Sequence, residues 1–297
     1  MFSLPRSALT LFLAPLCALS LSAQTWQAAV NAAARTAPES RILVLDIASN
    51  RILAAHHLDQ AAQTLSAPGS ALKPLLLYQL LAQRRWDPRQ RVSCTGNLTL
   101  AGHRLACSHP SAPPFDARQA LAWSCNTYFS QVAQSIPPGE LDSLLRPTGI
   151  LGPTALASRE ALAEFHAPQT PVRMQLAFLG VEGIRITPLE LASAYRWLAR
   201  ELAAHPDSTA TETVLAGLTD SASFGMAGQA GLAGVPVAGK TGTAEGATTA
   251  QTHGWFAGLA PAGNPQVILV VYAPSGRGAD AAHIAGILLA RSPLVPR

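Results

Sequence analysis

The segment Pro68-Gly69-Ser70-Ala71-Leu72-Lys73-Pro74 ends a polar, alanine-rich stretch and opens a helix that carries a hydroxyl and an amine at its start. Pro68-Gly69 breaks the preceding chain, and Leu72, Leu75, Leu76, Leu80 and Leu81 then recur at helical spacing up to Arg84. The pattern predicts a helix over 70–84 with Ser70 at its N-terminus. Residues three apart share a helix face, so the Ser70 hydroxyl and the Lys73 amine stand together. Serine is a weak nucleophile near neutral pH and needs a partner to take its proton. Lysine can do this once burial has lowered its pKa, and Leu72, Pro74 and Leu75 offer apolar surroundings. The helix start adds free N–H groups and a positive dipole end. Taken alone, Ser-x-x-Lys also describes many ordinary helix starts.

Working outward, Arg41 to Ile47 is a β-branched apolar run, Ser49-Asn50 a turn signal and Arg51 to Ala55 a second strand, together a hairpin. On the other side, 86–116 is loop-rich, with Pro110, Pro113 and Pro114, and contains a hairpin-like stretch from Gly96 to Arg104. Asp116 is placed to cap a helix over 117–123. Thr187-Pro188-Leu189-Glu190 supplies an N-cap, a proline at the first helical position and a capping-box glutamate. Leu191, Ala194, Tyr195 and Leu198 carry that helix on, and another is expected over 211–220. Strands follow at 235–243, 254–260 and 267–272, then a last helix over 281–291 with Asp280 at its N-cap. Strands at both ends with helices between them predict a sheet assembled from both termini. No linker divides the chain.

With 297 residues, 48% of them hydrophobic and 13% charged, the chain can bury a substantial core and is not of disordered composition. Lys and Arg exceed Asp and Glu by 21 − 17 = 4, but the basic residues are scattered and lack interleaved aromatics. A nucleic-acid partner is therefore not expected. Arg6, the apolar run Ala8 to Leu21 and the small pair Ser22-Ala23 read as an export leader over 1–23, cleaved after Ala23. The alternative is an uncleaved anchor, although Pro15 interrupts a run shorter than the roughly 20 residues that span a bilayer. Leu16 makes Cys17 a poor lipidation site. The expectation is an exported domain over 24–297, in the periplasm or on the outer face of the cell membrane, touching membrane only if the leader stays. Cys94, Cys107 and Cys125 remain, an odd number; Cys94 and Cys107 flank the 96–104 hairpin and could pair. A metal set of His103, Cys107 and His109 fits no standard zinc spacing. Neither a metal nor a cofactor is expected.

Two further patterns change the weight of Ser70-x-x-Lys73. Ser124-Cys125-Asn126 follows the 117–123 helix, and Lys240-Thr241-Gly242-Thr243 lies in the 235–243 strand. Each is weak alone, but the three in this order form a signature of active-site serine enzymes with a lysine partner. Also present are Cys94-Thr95-Gly96 ahead of Cys107, Ser124 through Phe129 (SCNTYF), Thr187 through Ala192 (TPLELA) and His253 through Gly258 (HGWFAG). On these segments the chain resembles the transpeptidase domain of penicillin-binding proteins of the class B type, over roughly Arg41 to Arg291.

That resemblance implies an α/β (α+β) fold of the β-lactamase/transpeptidase kind: a central, mostly antiparallel five-stranded sheet flanked by helices, with an all-helical subdomain. It implies that Ser70 attacks the carbonyl of a D-alanyl-D-alanine stem peptide, with Lys73 as base and Ser124 relaying a proton to the leaving amine. Asn126 would hold Lys73 and the substrate amide, while Lys240, Thr241 and Thr243 hold the substrate carboxylate. The backbone N–H groups of Ser70 and Thr243 would form the oxyanion hole. Gly242 would let the substrate backbone lie along the strand. Peptidoglycan stem peptides are the implied substrates, β-lactams the inhibitors and a cell-wall synthesis complex a candidate partner, the reaction being transpeptidation or carboxypeptidation.

Two rivals share this pattern: a serine β-lactamase, for which Glu160 and Glu164 lie in the right general region, and a β-lactam- or wall-binding module without turnover. Among the remaining residues, Trp255 and Phe256 read as strand core and Cys125 as a small packed side chain. His253 fits an exposed strand end or the border of the site, and Glu182 and Glu245 are acids without an assigned role. Departures expected from the class B pattern are the short stretch from Gln24 to Ser40 ahead of the first strand, which leaves no room there for a pedestal domain, and His109-Pro110 where His-Gly is common. The part between Ser130 and Gly180 matches weakly.

Overall fold

Alternation within the strands decides the architecture. In a computed structural model of the protein, which describes residues 25–110, 113–245 and 251–295, one sheet splits the molecule. Ile42, Val44, Phe256, Leu269 and Val271 point to one core, while Leu43, Leu45, Trp255, Ala257, Ile268 and Val270 point to the other. Period-2 burial on both faces requires cover on both sides, and helices provide it.

In chain order the elements begin with helix α1 (25–34), strands β1 (Arg41–Asp46) and β2 (Ile52–His56), and helix α2 (Leu58–Gln63). A 3₁₀ turn (Gly69–Leu72) leads into α3 (Lys73–Ala82), followed by a small hairpin of β3 (Thr99–Leu100) and β4 (His103–Arg104). Helices α4 (Ala117–Ala122), α5 (Asn126–Gln134) and α6 (Leu141–Leu145) come next. Then β5 (Glu164–Phe165), α7 (Pro171–Phe178) and β6 (Ile184–Arg185) precede α8 (Pro188–Ala204), α9 (Thr209–Ser223) and α10 (Gly228–Gly231). The chain closes with β7 (Ala238–Glu245), β8 (Thr252–Ala260), β9 (Val267–Ala273) and α11 (Gly278–Leu289).

The main sheet has the order β2-β1-β9-β8-β7, and every neighbouring pair is antiparallel. β1 pairs with β9, from Arg41 opposite Tyr272 to Asp46 opposite Val267, so the two ends of the chain meet in the middle of the sheet. α1 and α11 cover one face through Trp26, Val30, Ala285 and Leu288. The helices from α3 to α9 form the other layer, and their core is continuous with the second face of the sheet. β7 is left as an edge.

Several boundaries differ from the sequence reading, each for a local reason. The expected 70–84 helix is a 3₁₀ turn up to Leu72 and becomes an α-helix only at Lys73, with Pro74 in its first turn. The last helix starts at Gly278 rather than 281: Asp280 lies inside the first turn, where its Oδ2 accepts from the Arg277 N–H at 2.7 Å. β7 runs 238–245 and not 235–243, since Val235 and Val237 pack in the core as coil. The capping box at Thr187/Glu190 forms as the sequence predicts, and Asp116 caps α4 as expected, with Gln119 completing a second capping box. Among the described residues no helix is long and apolar enough to cross a membrane; the leader over 1–23 lies outside them.

Candidate active site

Three backbone stretches meet around Ser70 because glycines let them. Gly69 adopts φ +53 and donates its N–H to Gly180 O at 2.9 Å. A Cβ on Gly69 would press on the Thr243 backbone, and one on Gly180 would strike Gly69 O. A Cβ on Gly242 would strike Pro68 O and crowd Ala71. Gly242 thus secures close packing of β7 against the turn that carries Ser70. The turn is also fixed from beneath: His253 Nε2 and Trp255 Nε1 both lie 2.9 Å from Ala67 O. His253 is only 4% exposed, so it is neither an exposed strand end nor part of the cavity lining. Trp255 and Phe256 are core, as expected.

Between α4 and α5 the chain turns at Ser124, whose φ of +56 places a non-glycine residue in the left-handed region. Such a conformation costs on the order of 1–3 kcal/mol and is held by its surroundings. Here Lys240 Nζ donates to Ser124 Oγ at 2.8 Å, while Lys73 Nζ donates to Ser124 O at 3.0 Å and to Ser124 Oγ at 3.4 Å. Lys73 Nζ also donates to Asn126 Oδ1 at 2.7 Å, and Asn126 Nδ2 donates to Leu105 O at 3.2 Å, which orients the amide. Lys240 donates in addition to Thr241 O at 3.0 Å. Hydroxyl, amide and two amines form one connected network.

Both lysines are fully buried. Burial pushes the Lys73 ammonium down to about 8, although thiol charge at Cys107 and Cys125 works in the opposite sense. For Lys240, burial and then the neighbouring Lys73 charge hold the pKa well below the ordinary lysine value. Desolvation disfavours the protonated form, so the neutral amine of Lys73, the state a base requires, becomes accessible close to neutral pH.

Ser70, Ser124, Asn126, Thr241 and Thr243 line one cavity of about 630 Å³, and Arg277 lines it too. Lys73 and Lys240 reach this wall from behind, through Ser124 and Asn126. In this arrangement the Lys73 amine is bonded to Ser124 and Asn126 rather than to the Ser70 hydroxyl. Thr243 Oγ1 accepts from Gly278 N at 2.9 Å, leaving its hydroxyl proton available to a ligand. Because β7 is an edge strand, its outer side can receive an extended peptide. Arg277, at the start of α11, escaped the sequence reading. Only its place next to the Thr241/Thr243 strand gives it meaning.

Of the acidic residues, Glu182 and Glu245 line the cavity, whereas Glu160 and Glu164 do not. Burial would raise the Glu182 carboxyl, but hydrogen bonds from Arg173 and His103 hold it below its usual value; His103 Nε2 lies 2.6 Å away. His103 is thereby drawn out of the metal set with Cys107 and His109. Glu160 accepts from the N–H groups of Thr154, Leu156 and Ala157, each at 2.8 Å. Glu164 pairs with Arg185 at 3.1 Å, and Glu245 stands exposed at the rim of the cavity. Among the described residues the three cysteines carry free thiols, with Cys94 Sγ and Cys107 Sγ 3.4 Å apart.

Comparison with known proteins places the fold. The family described as "Penicillin binding protein transpeptidase domain" matches residues 36–291. The peptidoglycan D,D-transpeptidase PbpA of Mycolicibacterium smegmatis is 27% identical over 194 residues, which are 55% of this chain and 40% of that protein. This chain therefore spans about two fifths of that relative's length. Among solved structures, a peptidoglycan glycosyltransferase from Burkholderia ambifaria superposes with a TM-score of 0.78 at 19% identity, covering 91% of this chain and 94% of the other. The TP domain of Burkholderia pseudomallei penicillin-binding protein 3 gives 0.76 at 19%, covering 92% and 93%. Pseudomonas aeruginosa PBP2 in complex with WCK 5153 gives 0.77 at 20%, covering 90% and 74%. With its family match running from ahead of β1 to beyond α11, the chain belongs to the penicillin-binding protein transpeptidase domain family.

Proposed function

We propose that the protein is a peptidoglycan D,D-transpeptidase or carboxypeptidase that works through an acyl-enzyme on Ser70. The observation that carries this reading is the buried network in which Lys73 and Lys240 both bond Ser124, directly behind the cavity onto which Ser70 opens. A stem peptide lies along the outer edge of β7, with its terminal carboxylate near Thr241, Thr243, Lys240 and Arg277. Ser70 Oγ attacks the carbonyl of the penultimate D-alanine as its proton passes to the neutral amine of Lys73. The Ser70 and Thr243 N–H groups receive the oxyanion; removing one such donor typically costs about 100- to 1,000-fold in rate. Ser124, protonated through Lys240, gives a proton to the leaving amine, and D-alanine departs. An acceptor amine or water then releases the acyl group.

β-Lactams occupy the same place as the substrate they mimic. Because the stem peptides lie outside the cytoplasmic membrane, the enzyme works there, delivered by its 1–23 leader and within a cell-wall synthesis complex. The β-lactamase reading is less well supported. Glu160 is spent on loop N–H groups and Glu164 on Arg185, and neither lines the cavity.

The direct test is release of D-alanine from a pentapeptide ending in D-Ala-D-Ala, followed with and without an acceptor amine. The expected result is D-alanine release that Ser70→Ala abolishes while its circular dichroism stays unchanged. Undiminished release by the folded Ser70→Ala variant would overturn the assignment of the nucleophile.

A further inference from the structure

We propose that Cys94, Cys107, His109 and Cys125 form a structural Zn²⁺ site in the wall of the catalytic cleft. Their donor atoms all lie within 4.8 Å of one another. Around a tetrahedral zinc, with Zn–S near 2.3 Å and Zn–N near 2.0–2.1 Å, donors stand roughly 3.3–3.8 Å apart. Sulfur–sulfur pairs fall near the upper end of that range, so Cys94 and Cys107, with sulfurs 3.4 Å apart, open by roughly 0.3–0.4 Å while the other two donors draw in. Three thiolates and one imidazole are a standard closed donor set, with no coordination position left for water or substrate.

The histidine makes the strongest case. His109 Nδ1 lies 2.8 Å from Pro110 O, a bond it can make only as the protonated ring nitrogen, since a carbonyl accepts. Nε2 is thereby left as a lone-pair donor, and it is buried with no hydrogen-bond partner. A buried, unsatisfied polar atom is destabilising, and a bond to a metal satisfies it. The arrangement, one ring nitrogen on a carbonyl and the other on the metal, is the usual outer support of a zinc histidine. The sulfurs have comparable support: Asn126 N donates to Cys107 Sγ at 3.2 Å and Gly96 N to Cys94 Sγ at 3.4 Å.

A Cys94–Cys107 disulfide is the competing use of these residues. It would leave both the Cys125 thiol and the His109 Nε2 unexplained, whereas zinc uses all four. The spacing hid the site: the ligands are 13, 2 and 16 positions apart in the chain. The fourth, Cys125, belongs to the Ser124-Cys125-Asn126 motif itself. Bound zinc would fasten the 94–109 segment to that motif, and with it the Leu105 carbonyl that orients Asn126 toward Lys73. The site does not rest on the reaction assigned to Ser70, so either can fail without the other.

The test uses the full chain, produced with zinc and purified under reducing conditions. Metal content, accessible thiols and intact mass are measured before and after chelation. We expect one zinc per chain that survives gel filtration, thiols that become reactive only after chelation, and no loss of zinc in Ser70→Ala. Co²⁺ added to the apo-protein should give thiolate-to-cobalt charge-transfer bands and intense visible bands of tetrahedral cobalt. Cys107→Ser and, as a milder variant, His109→Ala should weaken zinc binding by more than the roughly 10–100-fold that losing an outer-shell partner costs. β-Lactam acylation should slow on chelation and recover with Zn²⁺. The proposal is overturned by folded protein that binds neither metal, by a metal-free chain two hydrogens lighter with Cys94 joined to Cys107, or by zinc retained equally in both ligand variants.

Discussion

Lys73 is where the chemistry narrows to one side chain. It is fully buried, held by Ser124 and Asn126, and its pKa is pushed down to about 8. In the proposed mechanism only the neutral amine takes the Ser70 proton. With the pKa lowered and the deprotonated form active, acylation by a β-lactam should rise roughly tenfold per pH unit up to about pH 8 and level off above it. Stopped-flow acylation rates between about pH 6 and pH 9 check this, and a flat profile contradicts it. Lys73→Ala should slow acylation by about 10²–10⁴-fold, the usual contribution of a general base; near-normal acylation would remove Lys73 from that role. At this scale the sequence was informative wherever residue identity and short spacing determine proximity, as for Ser70 with Lys73. It was silent on Arg277, and it grouped Cys107 and His109 with His103 instead of with Cys94 and Cys125, because the members of that cluster are neighbours only after the chain has folded.

At the scale of elements, the decisive contact is the edge strand β7 against the 3₁₀ turn that carries Ser70. Gly242→Ala puts a methyl group into Pro68 O and Ala71, and overpacking of this kind typically costs about 1–3 kcal/mol. Acylation should fall more steeply than stability, since the displaced strand carries Thr241 and Thr243. Comparing denaturant midpoints with acylation rates separates the two effects; equal activity in the variant would mean the strand does not need that close approach. The start of α8 makes a purely structural counterpart. Thr187 Oγ1 caps Glu190 N at 3.1 Å, and Glu190 Oε2 accepts from Thr187 N at 2.8 Å. Thr187→Ala should lower unfolding free energy by about 0.5–2 kcal/mol with acylation of the surviving fold unchanged. Capping boxes were legible because their signal is local. The ends of β7 and α11 were not, because Val235, Val237 and Asp280 carry strand and cap signals that tertiary packing and the Arg277 N–H bond redirect.

For the whole molecule, pairing β1 with β9 closes a sheet from the two ends of the chain and suspends the helical layer between them. Strand signals at both termini made that arrangement readable. The close meeting of Gly69, Gly180 and Thr243, on which the cleft depends, was not, since it joins backbone rather than side chains. The account rests on convergence of Ser70, Ser124 and Lys240 from three distant segments into one acylating centre. The most direct test is to treat the folded protein with penicillin, follow intact mass over time and locate the adduct by peptide mapping. The account predicts one long-lived adduct on Ser70, lost in Ser70→Ala. An adduct on another residue, one that is hydrolysed within seconds, or none at all on folded protein would contradict it.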